Sequence, residues 1–411
     1  MPELAIRFLH SSDWHLERPV GGLCDVPEPL AELFLKAPLK AARRVVDTAL
    51  AEDVDFVVLS GDIIHADRAG PHVVLFLREQ FERLAKRGIE VYWAGGQVDS
   101  PEHWPSAIQL PRNVHRFPVA HPQSLAHERH RVAVARITGQ SAGHPQRGVR
   151  AADFQADPSG LFTVAVAHGS QAFESLAESD VSYWALGGDH VRSTPLAQRH
   201  IIHLPGTHQG RNPVEAGPHG CTLVEVDETR HIRLRFVSSD IARWHHERVM
   251  LSHDATRAEL EATFVAQTEK LIEAGGTDSE LLICWTIGGD GHLLRQLRHA
   301  SLVREMANSL RERFTSRWPR AWCAWIEADP PQSWSDAWYE QDDLRGDFLR
   351  EVLQYQTGQA SPLEGRAYEA ETALLADAGM VGVLEHVPVE RLLRRAAALG
   401  VELLSAEDSE S

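Results

Sequence analysis

The sequence is poor in cysteine, has no long apolar run and carries no excess of positive charge. Its four cysteines stand far apart, at positions 24, 221, 284 and 323, which excludes a disulfide framework and a zinc knuckle and indicates a reducing, cytoplasmic compartment. No apolar run approaches the length of a membrane span, so we expect no membrane segment. The net charge of −17 excludes a chain that coats itself with nucleic acid, so contact with DNA would need a local basic surface or a partner.

The length of 411 residues predicts two or three domains, each able to bury a core of its own. Strand and helix patterns alternate in the first part of the chain, with helices predicted over 39–52 and 73–87, and short strands then dominate up to residue 238. A second α/β pattern follows, with helices predicted over 256–273 and 291–314. We therefore predict domains over 1–238 and 239–330, and a linker with a helical tail over 331–411.

Asp62 is the residue around which the first domain is organised. The pattern of Phe56–Ser60 predicts a short buried strand, and Gly61 lets the backbone turn, so that a carboxylate follows the strand end where α/β proteins place ligands. Its two oxygens can ligate two metal ions at once, as a two-metal hydrolytic site requires. The alternative is that Asp62 only caps the next turn.

Polar residues follow four other predicted strands in the same way. They are Asp13 and His15, then Gln97, Val98 and Asp99, then His168, and then Gly188, Asp189 and His190. Carboxylates and imidazoles together are ligands that suit Mn²⁺, Fe²⁺ or Zn²⁺. The order of these pieces predicts a divalent metal site built from successive strand ends.

This order resembles that of the calcineurin-like metallophosphoesterases, and more narrowly that of the SbcD-type DNA-repair exonucleases and their YhaO-like relatives. Four stretches match the motifs of that family, namely Ser12-Asp13-Trp14-His15, Ser60-Gly61-Asp62, Ala167-His168-Gly169 and the Pro205-Gly206-Thr207 loop with Glu215. The Asn-His and His-x-His motifs of the family are degenerate here. The resemblance implies an α/β fold, a four-layer αββα sandwich followed by a small α/β capping domain of the DNA-binding type and a helical C-terminal tail.

The resemblance also implies a ligand set for one or two metal ions, most often Mn²⁺, with Fe²⁺ or Zn²⁺ as alternatives. One ion would be held by four residues that are all present, Asp13, His15, Asp62 and His190. The other would be held by Asp62, Gln97 and His168, with Gly188 at the fourth position. Asp62 and His168 would belong to the catalytic centre, and Val98 stands where the family has its catalytic histidine.

Each departure from the family pattern has its own chemical consequence. Gln97 keeps an amide oxygen but carries it one methylene further out. Gly188 removes an imidazole, and water, Asp189 or His65 could fill the position. Val98 neither donates nor accepts a proton, and the loss of a general acid typically costs ~10²–10⁴-fold in rate.

Three interpretations of the sequence follow. The first is a metal-dependent phosphodiesterase of the DNA-repair exonuclease type with weakened activity. The second is a catalytically degenerate subunit that serves as a metal-binding scaffold for an SMC-like ATPase. In the third, the histidines are core or surface residues without a metal.

The resemblance further implies partners that no residue pattern indicates directly. They are DNA, an SbcC-like coiled-coil ATPase and a second copy of the chain in a homodimer. The arginine face predicted for residues 291–317 either contacts nucleic acid or is solvated.

Overall fold

A computed structural model describes residues 5–23, 26–143, 150–169, 173–197, 200–274, 279–298, 300–316, 320–330, 334–357 and 389–406. The chain divides into two compact units. One comprises Met1–His246, Gln267–Ile283 and Arg311–Ala324, and the other Glu247–Ala266, Cys284–Leu310 and Trp325–Ser411. The domain limits predicted at residues 238 and 330 stay predictions. No helix in the described part of the chain is long and apolar enough to cross a membrane.

The first large sheet has six strands in the order β12-β11-β1-β2-β3-β4. They are β1 (Ile6–Ser11), β2 (Phe56–Leu59), β3 (Glu90–Trp93), β4 (Val114–Arg116), β11 (Gly220–Val226) and β12 (Ile232–Ser238). The four strands β1 to β4 run parallel, whereas β11 pairs antiparallel with both β1 and β12. Because parallel neighbours end at the same edge, the loops after β1, β2 and β3 open on one side.

The second large sheet also has six strands, in the order β5-β6-β7-β8-β10-β9. They are β5 (Gln123–Arg129), β6 (Val132–Gln140), β7 (Phe162–His168), β8 (Tyr183–Gly187), β9 (Ser193–Ala197) and β10 (Ile201–Leu204). The inner strands β6, β7, β8 and β10 are parallel, and the edge strands pair antiparallel. The sequence did not predict the two edge strands, since β5 is largely exposed and β9 contains Pro195, which is tolerated at a sheet edge.

The two large sheets pack face to face, with helices on both outer faces. Apolar residues of both sheets fill the space between them, among them Phe8, Phe56, Tyr92, Val164 and Tyr183. The alternate residues of the first sheet pack against α1 (Glu28–Ala51) and α2 (Pro71–Ala85), and those of the second sheet against α3 (Phe173–Ala177). This four-layer αββα sandwich confirms the predicted fold class.

Helix α1 begins at Glu28, well before the predicted residue 39, although Pro38 lies inside it. A proline has no N–H, so the carbonyl of Phe34 loses its partner within the helix. That carbonyl accepts the backbone N–H of Val20 at 3.3 Å, and the carbonyl of Pro38 accepts Nε2 of His208 at 2.8 Å. These long-range contacts stabilise a helix whose first eleven residues, Glu28 to Pro38, lie before the start predicted from the sequence.

A three-stranded sheet has the order β13-β14-β15, with β13 (Ala242–Leu251), β14 (Glu280–Gly289) and β15 (Ala321–Ala328). Helix α4 (Arg257–Ala274) agrees with its prediction, but the single helix predicted over 291–314 is wrong. The structure has α5 (His292–Gln296) and α6 (Ala300–Phe314) instead. Leu293 and Leu297 are buried before the turn and Met306 and Leu310 after it, on one apolar stripe in the sequence, so periodicity could not reveal the break. Arg317 of the predicted arginine face lies outside the described residues.

The described part of the C-terminal region, residues 334–357 and 389–406, contains helices, as predicted. It contains α7 (Asp336–Tyr339), α8 (Leu344–Gln356) and α9 (Val389–Ala406).

Candidate metal centre

The predicted ligands lie on loops at the ends of parallel strands. Asp13 and His15 follow β1, Asp62 follows β2, His168 ends β7 and His190 follows β8. In each sheet the two strands concerned are direct parallel neighbours. Residues far apart in sequence therefore meet at one end of the sandwich.

Three of these residues have a left-handed backbone that residues other than glycine rarely adopt. The angle φ is 53° at Asp13, 42° at His15 and 53° at Asp62. Two hydrogen bonds hold the turns together, because the N–H of Asp13 donates to the Gly61 carbonyl at 2.9 Å and that of His15 to the Asp62 carbonyl at 3.0 Å. Strain of this kind clusters at functional sites.

The structure brings the ligands into two overlapping groups. Asp13, His15 and His190 form one group, and Asp13, Asp62 and His168 form the other, with one potential ligand atom of each residue within 4.8 Å of the others. Asp62 Oδ2 lies 3.4 Å from His168 Nε2 and 3.8 Å from His15 Nε2. Asp13 therefore belongs to both groups, a shared position that the sequence assigned to Asp62 alone.

The donor set fits a divalent metal ion. Both ring nitrogens of His15 are buried without a hydrogen-bond partner among the described residues. His168 Nδ1 donates to the Ser60 carbonyl at 2.8 Å and His190 Nδ1 to Glu215 Oε1 at 2.6 Å, which leaves Nε2 of each ring as the ligand atom. Two carboxylates and three imidazoles would hold an ion that prefers mixed nitrogen and oxygen ligands.

Burial and charge shift the pKa values of these groups in opposite directions. Burial raises the pKa of Asp13 and lowers the pKa of His15. Burial also opposes ionisation of Asp62, but the charge and hydrogen bond of His168 outweigh it, so the pKa of Asp62 lies well below its ordinary value. Burial likewise disfavours a charged His168, yet the carboxylate of Asp62 raises the pKa of His168 to about 10. A metal ion that binds His168 must therefore displace a proton.

The loop after β3 supports Asp62. Val98 donates its backbone N–H to Asp62 Oδ1 at 3.0 Å, and the buried carboxylate of Asp99 accepts the N–H groups of Asp62 and Ile63 at 3.2 and 2.7 Å. Gln97 lies exposed in this loop, and its role as a ligand stays a prediction. The sequence analysis did not predict that Asp99 supports Asp62, although the position of Asp99 directly after Gln97 and Val98 was a signal.

The side chain of Arg116 holds the same loop, the one after β3. Its guanidinium carbon lies 4.9 Å from the ring centroid of Trp93 and 4.3 Å from that of Trp104, between two cation–π contacts. Its Nη2 donates to the Asp99 carbonyl at 2.6 Å. The sequence carried no signal for this contact, because it joins residues from separate elements.

Gly188 stands where the resemblance places a ligand histidine. Its φ is +100°, and a Cβ there would lie 3.0 Å from both Cα and N of Gly169. Its backbone N–H donates to Asp13 Oδ1 and Oδ2 at 3.2 and 3.1 Å. Among the described residues, neither Asp189 nor His65 joins the two ligand groups.

Arg211 and Glu215 support His190 from the loop after β10. Both are buried, and Glu215 accepts the backbone N–H of Arg211 at 2.7 Å and its Nη2 at 3.1 Å. Burial opposes ionisation of Glu215, but the hydrogen bond from His190 and the charge of Arg211 lower the pKa of Glu215 below its ordinary value. The sequence placed Glu215 in a family motif and passed over Arg211.

The comparisons with known proteins agree with this geometry. Residues 6–191 match the model of the calcineurin-like phosphoesterases. Over this stretch the chain is similar to the calcineurin-like phosphoesterases. The narrower resemblance to DNA-repair exonucleases is not decided by this match.

One relative and two solved structures illustrate the similarity. The chain is 30% identical over 236 residues to the uncharacterized metallophosphoesterase YhaO of Bacillus subtilis (strain 168). The aligned part makes up 54% of this chain and 57% of that protein, so the chain spans little more than half of the relative's length. A dimetal phosphatase from Danio rerio is 11% identical with a TM-score of 0.36, over 57% of this chain and 97% of that one. A conserved protein from Streptococcus pneumoniae TIGR4, described as a predicted phosphoesterase, is 16% identical with a TM-score of 0.29, over 57% and 91%.

Proposed function

We propose that this chain is a metal-dependent phosphodiesterase of the DNA-repair exonuclease type, with weakened activity. The proposal is supported above all by the two overlapping ligand groups, which share Asp13 and gather carboxylates and imidazoles at one end of the sandwich. Mixed nitrogen and oxygen ligands suit Mn²⁺, with Fe²⁺ or Zn²⁺ as alternatives. DNA is the proposed substrate, and a homodimer is the proposed assembly.

Each residue of the site would have a role that follows from its position. When bound, metal ions supply charge stabilisation and an activated water to phosphodiester hydrolysis. Asp13 and Asp62 carry the negative charge that holds them, and the Ser60 carbonyl and Glu215 orient the imidazoles of His168 and His190. Position 98 gives the leaving group no proton, since Val98 offers only its backbone N–H and that is bound to Asp62.

A second candidate function is a scaffold that keeps the fold and a metal but not turnover. It is favoured by Val98 and by Gly188, whose backbone is fitted to Asp13 in a way that leaves little room for a side chain. The partner would then be an SMC-like coiled-coil ATPase of the SbcC type, which would hold the DNA.

The test is hydrolysis of bis-p-nitrophenyl phosphate and of single-stranded DNA by the Mn²⁺-loaded chain, with metal content measured in parallel. Asp62→Asn is the variant expected to abolish hydrolysis, and His127→Gln is the matched control, because His127 is buried elsewhere in the sandwich against Tyr92. Hydrolysis that survives in Asp62→Asn would come from a contaminant. A parent that holds metal and hydrolyses neither substrate would favour the scaffold.

A further inference from the structure

Arg211 is a buried arginine with an unused donor beside the metal ligands. Only 6% of the residue is exposed. Its Nη2 donates to Glu215 Oε1 at 3.1 Å and lies 3.0 Å from His190 Nδ1 and 3.3 Å from His190 Nε2. Its Nη1 is buried and has no hydrogen-bond partner among the described residues.

An unpaired N–H in a protein interior is costly, and an unpaired donor on a charged group costs more. The two ring nitrogens of His15 share this condition, and the rings of His15 and His190 lie with their centroids 5.4 Å apart. A metal ion can satisfy the lone pair of His15. It cannot satisfy Arg211 Nη1, because a guanidinium nitrogen only donates and therefore needs an acceptor atom, which an oxygen provides.

Glu215 makes a cation tolerable at this place. Its carboxylate contacts both Arg211 and His190, so the positive charge of the guanidinium is balanced before any metal ion enters. With Nη2 and the main-chain N–H of Arg211 bound to Glu215, Nη1 is a buried donor of the guanidinium that remains for a ligand.

We propose that Arg211 Nη1 binds a non-bridging oxygen of the substrate phosphate group, next to the ion held by Asp13, His15 and His190. This inference rests on the proposed phosphodiesterase function. Arginine binds phosphate well because its donors are planar and permanently charged, and for the same reason it cannot act as a general acid. Arg211 would thus restore substrate binding that Val98 cannot provide, without restoring proton donation.

The test is calorimetric titration of inorganic phosphate into the full chain, with and without Mn²⁺. The variants are Arg211→Lys, which keeps the charge, and Arg211→Gln, which removes it. Arg129→Gln is the matched control, because Arg129 is paired with Asp55 before β2, at the other end of that strand from the site. Metal content is measured for every sample.

We expect Arg211→Gln to weaken phosphate binding by about tenfold or more, Arg211→Lys to weaken it less, and Arg129→Gln to leave it unchanged. Parental phosphate affinity in both Arg211 variants would overturn the inference and leave the phosphodiesterase proposal standing. Loss of phosphate only in step with loss of metal would also overturn it, since Arg211 would then act by holding His190. A parent that holds Mn²⁺ and binds no phosphate would contradict the phosphodiesterase proposal itself, and this inference with it.

Discussion

Gly188 donates its backbone N–H to both carboxylate oxygens of Asp13, at 3.2 and 3.1 Å. The resemblance predicts a ligand imidazole at this position, whereas here the main chain contacts the carboxylate of a candidate ligand. The left-handed φ of Gly188 and the closeness of the Gly169 backbone make this arrangement specific to glycine.

We expect Gly188→Ala to be more damaging than a glycine replacement of equal backbone cost. Gly160 is the matched control, because its φ is +83° but nothing lies within 4 Å of a Cβ built there. Gly160→Ala should lower the free energy of unfolding by about 1–2 kcal/mol, the cost of a left-handed residue. Gly188→Ala should lower it further and weaken Mn²⁺ binding, as read from urea denaturation and metal titration. Equal effects of the two substitutions would show that the Gly169 backbone can move away from a side chain at position 188 at no cost in stability.

Asp13 should be the residue on which all metal binding depends, and Asp62 should come next. Asp13 belongs to both ligand groups, whereas Asp62 belongs to the group with His168, and its Oδ2 lies 3.8 Å from His15 Nε2 in the other group. We expect Asp13→Ala to remove nearly all bound metal, Asp62→Ala to remove the ion of the group with His168 and to weaken the other, and His168→Ala to affect only the former. Elemental analysis of the purified variants measures this. Parental metal content in Asp62→Ala would contradict the two-group arrangement.

The two ligand groups should fill unequally with Mn²⁺. By the resemblance, the group with His168 lacks an imidazole ligand at position 188. In addition, His168 must lose a proton when it binds a metal ion, because the carboxylate of Asp62 raises the pKa of His168 to about 10. The group with His15 meets no such competition, because burial lowers the pKa of His15. Titrations at about pH 8 and about pH 6 should show one affinity that falls steeply on acidification and one that falls less. Two ions with the same affinity and the same pH dependence would contradict this.

The positions of the candidate ligands at strand ends could be predicted from sequence because local rules determine them. A short apolar strand followed by Gly61 and Asp62 specifies both the turn and the edge of the sheet at which the carboxylate lies. Once the strands before His168 and His190 are taken as parallel neighbours, both residues must lie at the same edge of their sheet.

The remaining features depend on contacts between distant residues, which local rules do not contain. The carbonyl of Phe34 finds its partner in Val20, and this bond lets α1 continue through Pro38. Similarly, nothing around Arg211 in sequence indicates that it would be buried beside His190. The sharing of Asp13 between ligand groups follows from how the two sheets face each other.

Acid should destabilise the fold through buried neutral histidines, of which His203 is a clear case. It lies between Thr194 and Thr222 at 2.9 and 2.8 Å, and burial lowers the pKa of His203 to about 3. Below about pH 6.5 the histidine is protonated in the unfolded chain but stays neutral in the folded chain. The contribution of neutral His203 to the free energy of unfolding is therefore fully present above pH ~6.5 and is lost as the pH falls toward about 3.

His203→Gln should remove this component of the acid sensitivity. At neutral pH the free energy of unfolding of this variant will be lower than that of the parent. Between about pH 7 and about pH 5, however, the variant should lose about 2 kcal/mol less of that free energy than the parent does. Urea denaturation of both proteins without metal, at about pH 7 and about pH 5, gives the four free energies needed. The same pH dependence in both proteins would mean that His203 is protonated in the fold.

Activity should be recovered at positions 97 and 98 and not at position 188. Gln97→Asn with Val98→His returns the shorter amide ligand and a proton donor, and neither change needs a special backbone at the exposed or half-buried positions involved. We expect the double variant to raise Mn²⁺-dependent hydrolysis of bis-p-nitrophenyl phosphate by about tenfold or more, and each single change to do little, because the ions and the donor act together.

Adding Gly188→His to this double variant should cost stability without a further gain in rate. An imidazole at 188 strains the backbone at a φ of +100° and crowds the Gly169 backbone, and relief of that strain would break the hydrogen bonds from Gly188 to Asp13. The controls are metal content and urea denaturation of every variant. A triple variant that is faster than the double and equally stable would show that the loop after β8 can still accept a histidine. A double variant that is folded, holds two metal ions and hydrolyses nothing would favour the scaffold, because return of the shorter amide ligand and of the proton donor would then not suffice.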